Sequence, residues 1–182
     1  MTVLGSEFDI DPRCDRRDES GPFDIIGDVH GCTDELIALM TELGYRVSLG
    51  DWAAGKPVDI TPPRGRRLVF VGDLADRGPR SADSLRLVMT MVERGQALSV
   101  PGNHDAKLLR WLQGRTSMTL SHGLELTVAE LERETQAFRD GARTFTEGLP
   151  LNLWLDGGAL VVAHAGIRQD MFGRSSGNVR RF

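Results

Sequence analysis

Four short polar segments, each directly behind an apolar run, constrain this chain more than anything else in it. They are Gly-Asp-Val-His-Gly at 27–31, Gly-Asp-Leu-Ala-Asp-Arg-Gly at 72–78, Gly-Asn-His-Asp at 102–105 and His-Ala-Gly at 164–166. The runs before them, 23–26, 68–71, 97–100 and 159–163, are short and mainly apolar, the pattern of buried strands. Polar residues placed just past such strands sit on strand-end loops along one edge of the fold. Asp28, His30, Asp73, Asn103 and His164 would there supply the oxygen and nitrogen donors that two neighbouring divalent cations need.

Between these strands the sequence reads as helices. Thr33 or Asp34 is expected to cap a helix carrying Leu36, Ile37, Leu39, Met40 and Leu43 on one face, ending at Gly44. Ser81 is expected to cap another with Leu85, Val88, Met89 and Val92 inward, and further helices are expected over about 106–113 and 127–138. Residues 45–67, rich in Gly and Pro, read as an excursion with a hairpin. The runs 151–155 and 159–163 flank Asp156-Gly157-Gly158, a second hairpin turn. Strands alternating with helices predict an α/β layered fold, and the closing hairpin suggests a second sheet. No internal repeat is visible.

Residues 1–20 are dense in charge and poor in apolar pattern, so a disordered lead-in is expected, with one folded domain over 21–182. The 182 residues suffice for one domain with a sizeable core, and 40% hydrophobic with 26% charged residues is ordinary globular usage. A net charge of −4 argues against holding long duplex DNA by charge alone, although bound cations would invert the sign locally. Cys14 and Cys32 give neither a disulfide framework nor a paired metal spacing; Cys32 reads as a small packing residue. With no apolar run of about 18 residues and no signal-peptide pattern, a cytoplasmic chain without membrane partners is expected.

The motif residues have distinct expected roles. Asp28 and His30 can turn toward one ion, with Gly27 and Gly31 letting the backbone bend close to it. Asp73 is the candidate carboxylate bridging both metals, Asn103 a neutral oxygen ligand and His164 a nitrogen ligand. His104 should face the substrate, where an imidazole suits protonation of an alkoxide leaving group. Asp76 could hold His104 in orientation, and Arg77 offers a planar fork for phosphate oxygens. Asp105 is expected to hydrogen-bond a metal-ligating histidine. His122 reads as a structural imidazole more than a ligand. Residues 50–57 (Gly-Asp-Trp-Ala-Ala-Gly-Lys-Pro) come close to a phosphate-binding loop. Pro57, however, replaces the hydroxyl that would hold Mg²⁺, and the Asp-Ile-Thr-Pro-Pro run at 59–63 cannot open a helix.

These motifs resemble the calcineurin-like metallophosphoesterases, in their phosphoprotein-phosphatase branch, whose signatures read G-D-x-H-G, G-D-x-x-D-R-G and G-N-H-[ED] with later histidines. The resemblance covers about 23–166 and beyond. It implies a four-layer α/β/β/α sandwich and a dinuclear site, with Mn²⁺ the first expectation and Fe, Ni or Co the alternatives. It assigns Asp28, His30 and Asp73 to one metal and Asp73, Asn103 and His164 to the other. His104 would be the general acid paired with Asp76, and Arg77 a phosphate clamp. The segments 21–32, 100–110 and 121–127 look like the phosphatase module of bacterial polynucleotide kinase-phosphatases, which implies phosphomonoesters and 2′,3′-cyclic phosphates at RNA ends. Symmetrical diadenosine-tetraphosphate hydrolases and small bacterial protein phosphatases lie in the same neighbourhood.

The family carries one more histidine after the His164 motif, and this chain has none there. The sequence therefore predicts a sandwich incomplete at its C-terminal side, with other modules of a longer protein as possible partners. The second metal would be weakly held, and a catalytically weak metal-binding fragment is the competing expectation. Oligomeric state has no signature in the sequence.

Overall fold

The apolar runs 23–26, 68–71 and 97–100 become three parallel strands because each is succeeded by a helix that carries the chain back to the start of the sheet. The computed structural model describes residues 10–50, 58–115 and 122–174. In chain order the elements are β1 (Asp15–Arg16), β2 (Phe23–Ile26), α1 (Thr33–Glu42), β3 (Arg46–Ser48), β4 (Asp59–Thr61), β5 (Arg67–Phe70) and α2 (Ser81–Glu93). Next come β6 (Ala97–Ser99), α3 (Asn103–Leu112), α4 (His122–Glu132), α5 (Gln136–Gly148), β7 (Leu153–Leu155) and β8 (Leu160–Val162).

The first sheet has the order β2-β5-β6, all parallel, and the second β1-β7-β8. Alternation along the strands splits the core in two. Ile26, Leu68, Phe70 and Ala97 face the helices, joining Met40, Leu85, Val88, Met91, Leu108 and Leu131. Val69, Leu98 and Val100 face the second sheet and meet Leu153, Leu155 and Val162. β5 is central, and its Leu68, Val69 and Phe70 are fully buried, each contributing roughly 1.5–3 kcal/mol. The layers run helices, sheet, sheet, the α/β/β part of the expected sandwich; an outer helical layer is not among the described residues.

Several expectations need correction. The segment 10–20 is not a disordered lead-in. β1 pairs in parallel with β7, Trp154 N donates to Cys14 O at 2.8 Å, and Cys14 is fully buried. Glu19 pairs with both Arg16 and Arg67, which binds the segment to the first sheet. Residues 1–9 lie outside the described residues, as do 51–57, which hold most of the loop that mimics a phosphate-binding motif. The expected helix over 127–138 is two helices: Thr135 breaks the run by accepting Phe138 N through its side chain, so α5 starts afresh. Helix α3 begins at Asn103, three residues earlier than expected, and so carries the motif in its first turn. Neither Thr33 nor Ser81 caps its helix; the cap positions are Cys32 and Arg80, and the hydroxyl of Thr33 donates to Arg80 O at 2.8 Å.

Both hairpins form, β3 with β4 and β7 with β8, antiparallel. No helix among the described residues is long and apolar enough to cross a membrane.

Candidate metal centre

The four motif loops meet at the C-terminal ends of β2, β5, β6 and β8, where strand directions bring their polar residues to one edge. The first two loops are locked to each other by backbone bonds: His30 N donates to Asp73 O at 2.8 Å, Gly31 N to Leu74 O at 3.1 Å and Gly78 N to His30 O at 2.7 Å. This packing forces unusual backbone. His30, Asp73, Asp76 and Arg77 all have positive φ, at 48°, 51°, 80° and 74°, a strain of about 1–3 kcal/mol per residue that concentrates at functional sites.

Of the two glycines expected to let the first loop bend, Gly31 is required: its φ is 69° and a Cβ there would lie 2.7 Å from Ser81 Oγ, whereas nothing lies within 4 Å of where a Cβ on Gly27 would stand. Gly102 likewise cannot carry a side chain: a Cβ there would lie 2.0 Å from Asp73 Oδ1 and 2.5 Å from Asp73 N.

Asp73 is the hub. It is 3% exposed; its Oδ1 accepts the N–H of His104 at 2.8 Å, which leaves Oδ2 facing three imidazoles. His164 Nε2 stands 3.5 Å from Oδ2, His30 Nε2 3.7 Å and His104 Nε2 4.0 Å. In two of these rings Nδ1 is directed at a backbone carbonyl: His30 Nδ1 lies 3.3 Å from Ala75 O, and His164 Nδ1 2.9 Å from Val71 O. A ring that donates from Nδ1 presents an unprotonated Nε2, the form that ligates a metal.

The donor set fits divalent cations on two further observations. His30 Nε2 is buried with no hydrogen-bond partner among the described residues, yet lies 3.6 Å from Asp28 Oδ2. Asn103 Oδ1 lies 3.1 Å from His164 Nε2, acceptor facing acceptor unless a proton or cation lies between them. Asp28, Asp73 and His164 bring one donor atom each within 4.8 Å of one another, and so do His30, Asp73 and His104. All five expected ligands thus stand together, and His104 stands closer to them than its expected place facing only substrate.

His104 Nδ1 lies 2.5 Å from Asp76 Oδ2, and Arg77 Nη2 donates to His104 Nε2 at 3.1 Å. Asp76 is 1% exposed whereas Arg77 is exposed, so the carboxylate is fixed and the guanidinium can reach outward. Asp105 departs from expectation: among the described residues it holds no histidine. Its carboxylate accepts the backbone N–H groups of Asp73 at 2.7 Å, Leu74 at 3.0 Å and Gly102 at 2.8 Å, which ties two ligand loops together. Burial pushes its carboxyl up from the usual range, and the three N–H donors oppose that. His122 opens α4, and its side chain lies outside the described part. Sequence reasoning missed Ser81 and Thr127, whose hydroxyls both accept the N–H of Asp76 at 3.1 Å.

Residues 21–180 match the calcineurin-like phosphoesterase family. The chain belongs to that family. Among curated relatives of this calcineurin-like phosphoesterase is bis(5'-nucleosyl)-tetraphosphatase PrpE (asymmetrical) of Anoxybacillus flavithermus, 44% identical over 164 residues, covering 88% of this chain and 63% of the relative. The protein of the same name from Geobacillus thermodenitrificans is 46% identical over 163 residues, covering 87% of this chain and 63% of its own length. The chain therefore spans less than two thirds of the curated relatives it matches. A crystal structure of a candidate diadenosine tetraphosphatase is 28% identical with a TM-score of 0.54, covering 84% of this chain and 54% of that one. The two curated names are of asymmetrical tetraphosphatases where the resemblance in the sequence pointed to symmetrical ones, and none of the names extends to RNA ends.

Proposed function

We propose that this chain hydrolyses phosphoric esters and anhydrides at a dinuclear site held by Asp28, His30, Asp73, Asn103 and His164, with dinucleoside tetraphosphates as the leading substrate class. The convergence of three imidazole Nε2 atoms on Asp73 Oδ2 carries the reading. That arrangement is repulsive or idle without a cation and productive with two. Divalent ions bound there, Mn²⁺ first among them, would supply charge neutralisation at phosphoryl oxygens and a bound water of lowered pKa. The substrate class rests on the names of the curated relatives.

The protein's own groups do the rest. Arg77, exposed beside His104, turns its planar fork to non-bridging phosphate oxygens. That movement frees His104 Nε2, which can then take a proton from solvent and pass it to the departing oxygen, while Asp76 at Nδ1 holds the ring in orientation. No phosphoenzyme is needed: among the described residues no Cys joins the candidate ligand groups, and no Ser or Cys stands in a nucleophile motif of the sequence.

The test is turnover of diadenosine tetraphosphate, p-nitrophenyl phosphate and a 2′,3′-cyclic nucleotide with Mn²⁺, Fe²⁺, Co²⁺ or Ni²⁺, beside an Asp73→Asn control. A nucleoside triphosphate and monophosphate as paired products, lost in the control, are the expected result. Preference for the cyclic nucleotide would move the reading to RNA ends, and no turnover above the control from folded protein would refute it for this chain.

A further inference from the structure

The segment 72–78 carries Asp73, Asp76 and Arg77, all three in the left-handed backbone region without being glycine. A strained loop persists only where its surroundings over-determine it. Its two ends are held by different elements. At the Asp73 end the holder is Asp105 of α3, through the N–H groups of Asp73 and Leu74. At the Asp76 end it is α4.

Three positions of α4 spaced i, i+4 and i+7, and therefore on one helix face, meet the loop and the start of α2 in turn. Gly123 lets the helix backbone press on Asp76: a Cβ there would stand 2.2 Å from Asp76 Oδ1 and 2.9 Å from Arg77 N. Thr127 Oγ1 accepts the N–H of Asp76 at 3.1 Å and donates to Ser81 Oγ at 2.9 Å; Ser81 Oγ accepts the same N–H at 3.1 Å. Glu130 Oε2 accepts the N–H of Ala82 at 2.9 Å, which seats the first turn of α2. Thr127 and Ser81 are fully buried, so water cannot replace either hydroxyl.

We infer that Thr127 and Ser81, pressed home by Gly123, are positioning residues for the Asp76–His104 pair, acting separately from the Asp105 clamp on the metal side. The inference rests on the proposed hydrolytic role of His104. The two hydroxyls fix the Asp76 backbone, and that fixes where its Oδ2 meets His104 Nδ1. A displaced Asp76 leaves the donor cluster intact and weakens proton delivery alone.

The experiment is Thr127→Val and Thr127→Ser, with Ser81→Ala as a second route should the valine variant not fold. Each is assayed with phenyl phosphate, whose leaving group needs a proton, and with p-nitrophenyl phosphate, whose leaving group scarcely does. Thr127→Val is expected to lose about tenfold in kcat on phenyl phosphate and less than about twofold on p-nitrophenyl phosphate. Bound Mn²⁺ should match the parent protein, and Thr127→Ser should restore the rate. Independently of turnover, nitrogen-labelled histidine spectra should show a low-field Nδ1 proton for His104, assigned by its loss in His104→Gln. It should be absent in Thr127→Val and present in Thr127→Ser. Equal losses on both substrates, or a low-field proton unchanged in Thr127→Val and Ser81→Ala, would overturn the inference. A parent protein inactive on both substrates would instead count against the proposed function, with the spectra still deciding the positioning role.

Discussion

Asp105 offers a sharp test of how the ligand loops are joined, because two substitutions separate a backbone clamp from a histidine-orienting carboxylate. One of its oxygens accepts Asp73 N and Gly102 N, and the other accepts Leu74 N. Hydrogen bonds to a charged acceptor contribute about 1.5–3 kcal/mol each. The three share one carboxylate and relax together, so their sum is an upper limit and Asp105→Ala should cost about 3–5 kcal/mol. That is a large fraction of the roughly 5–15 kcal/mol that holds a domain folded. In Asp105→Asn the amide oxygen can serve the two converging N–H groups, but the amide nitrogen then points N–H at the N–H of Leu74. The cost should be about 2–3 kcal/mol. A carboxylate that merely oriented a histidine would tolerate asparagine, whose oxygen accepts an imidazole N–H equally well. Urea unfolding monitored by tryptophan fluorescence, with linear extrapolation, reads the difference. An asparagine variant within about 0.5 kcal/mol of the parent would refute the clamp.

Three further outcomes are expected. Cys14 should resist a disulfide reagent in the native protein at neutral pH and react on unfolding, since burial removes access and pushes its thiol up, while half-buried Cys32 reacts natively; fast labelling of Cys14 would restore the disordered lead-in. Gly102→Ala should cost about 1–3 kcal/mol by overpacking against Asp73 and abolish Mn²⁺ binding in calorimetry, whereas Gly27→Ala should stay within about 0.5 kcal/mol, because nothing stands within 4 Å of the added carbon; equal effects would contradict the loop geometry. Added Mn²⁺ should raise the thermal midpoint of the parent, by about 2.7 kcal/mol of stabilisation at a hundredfold excess over Kd, and raise that of His30→Ala less, since the variant keeps Asp73, Asn103 and His164 for the other ion; an equal rise would argue against His30 as a ligand.

What the sequence determined by itself was local and periodic. Apolar runs at 23–26, 68–71 and 97–100 announce strands, and glycine-framed polar residues after them announce where donors will stand. Asp156-Gly157-Gly158 announces a turn that the structure realises with positive φ at Asp156 and Gly157. In each case the cause lies within a few neighbours, through steric limits on φ and the two-residue period of a strand. Tertiary structure alone decided what depends on partners far along the chain. Asp15 and Arg16 form a strand only because Trp154 and Leu155 offer an edge to pair with, and two charged residues carry no period that could say so. Asp105 takes three amides 3, 31 and 32 residues away instead of an imidazole, because α3 starts at Asn103 and turns that carboxylate inward. Thr127 meets Asp76 across 51 residues, a contact set by how α4 packs on α2. Gly27 and Gly102 look alike in sequence, and only the packing of one loop on another makes the second irreplaceable.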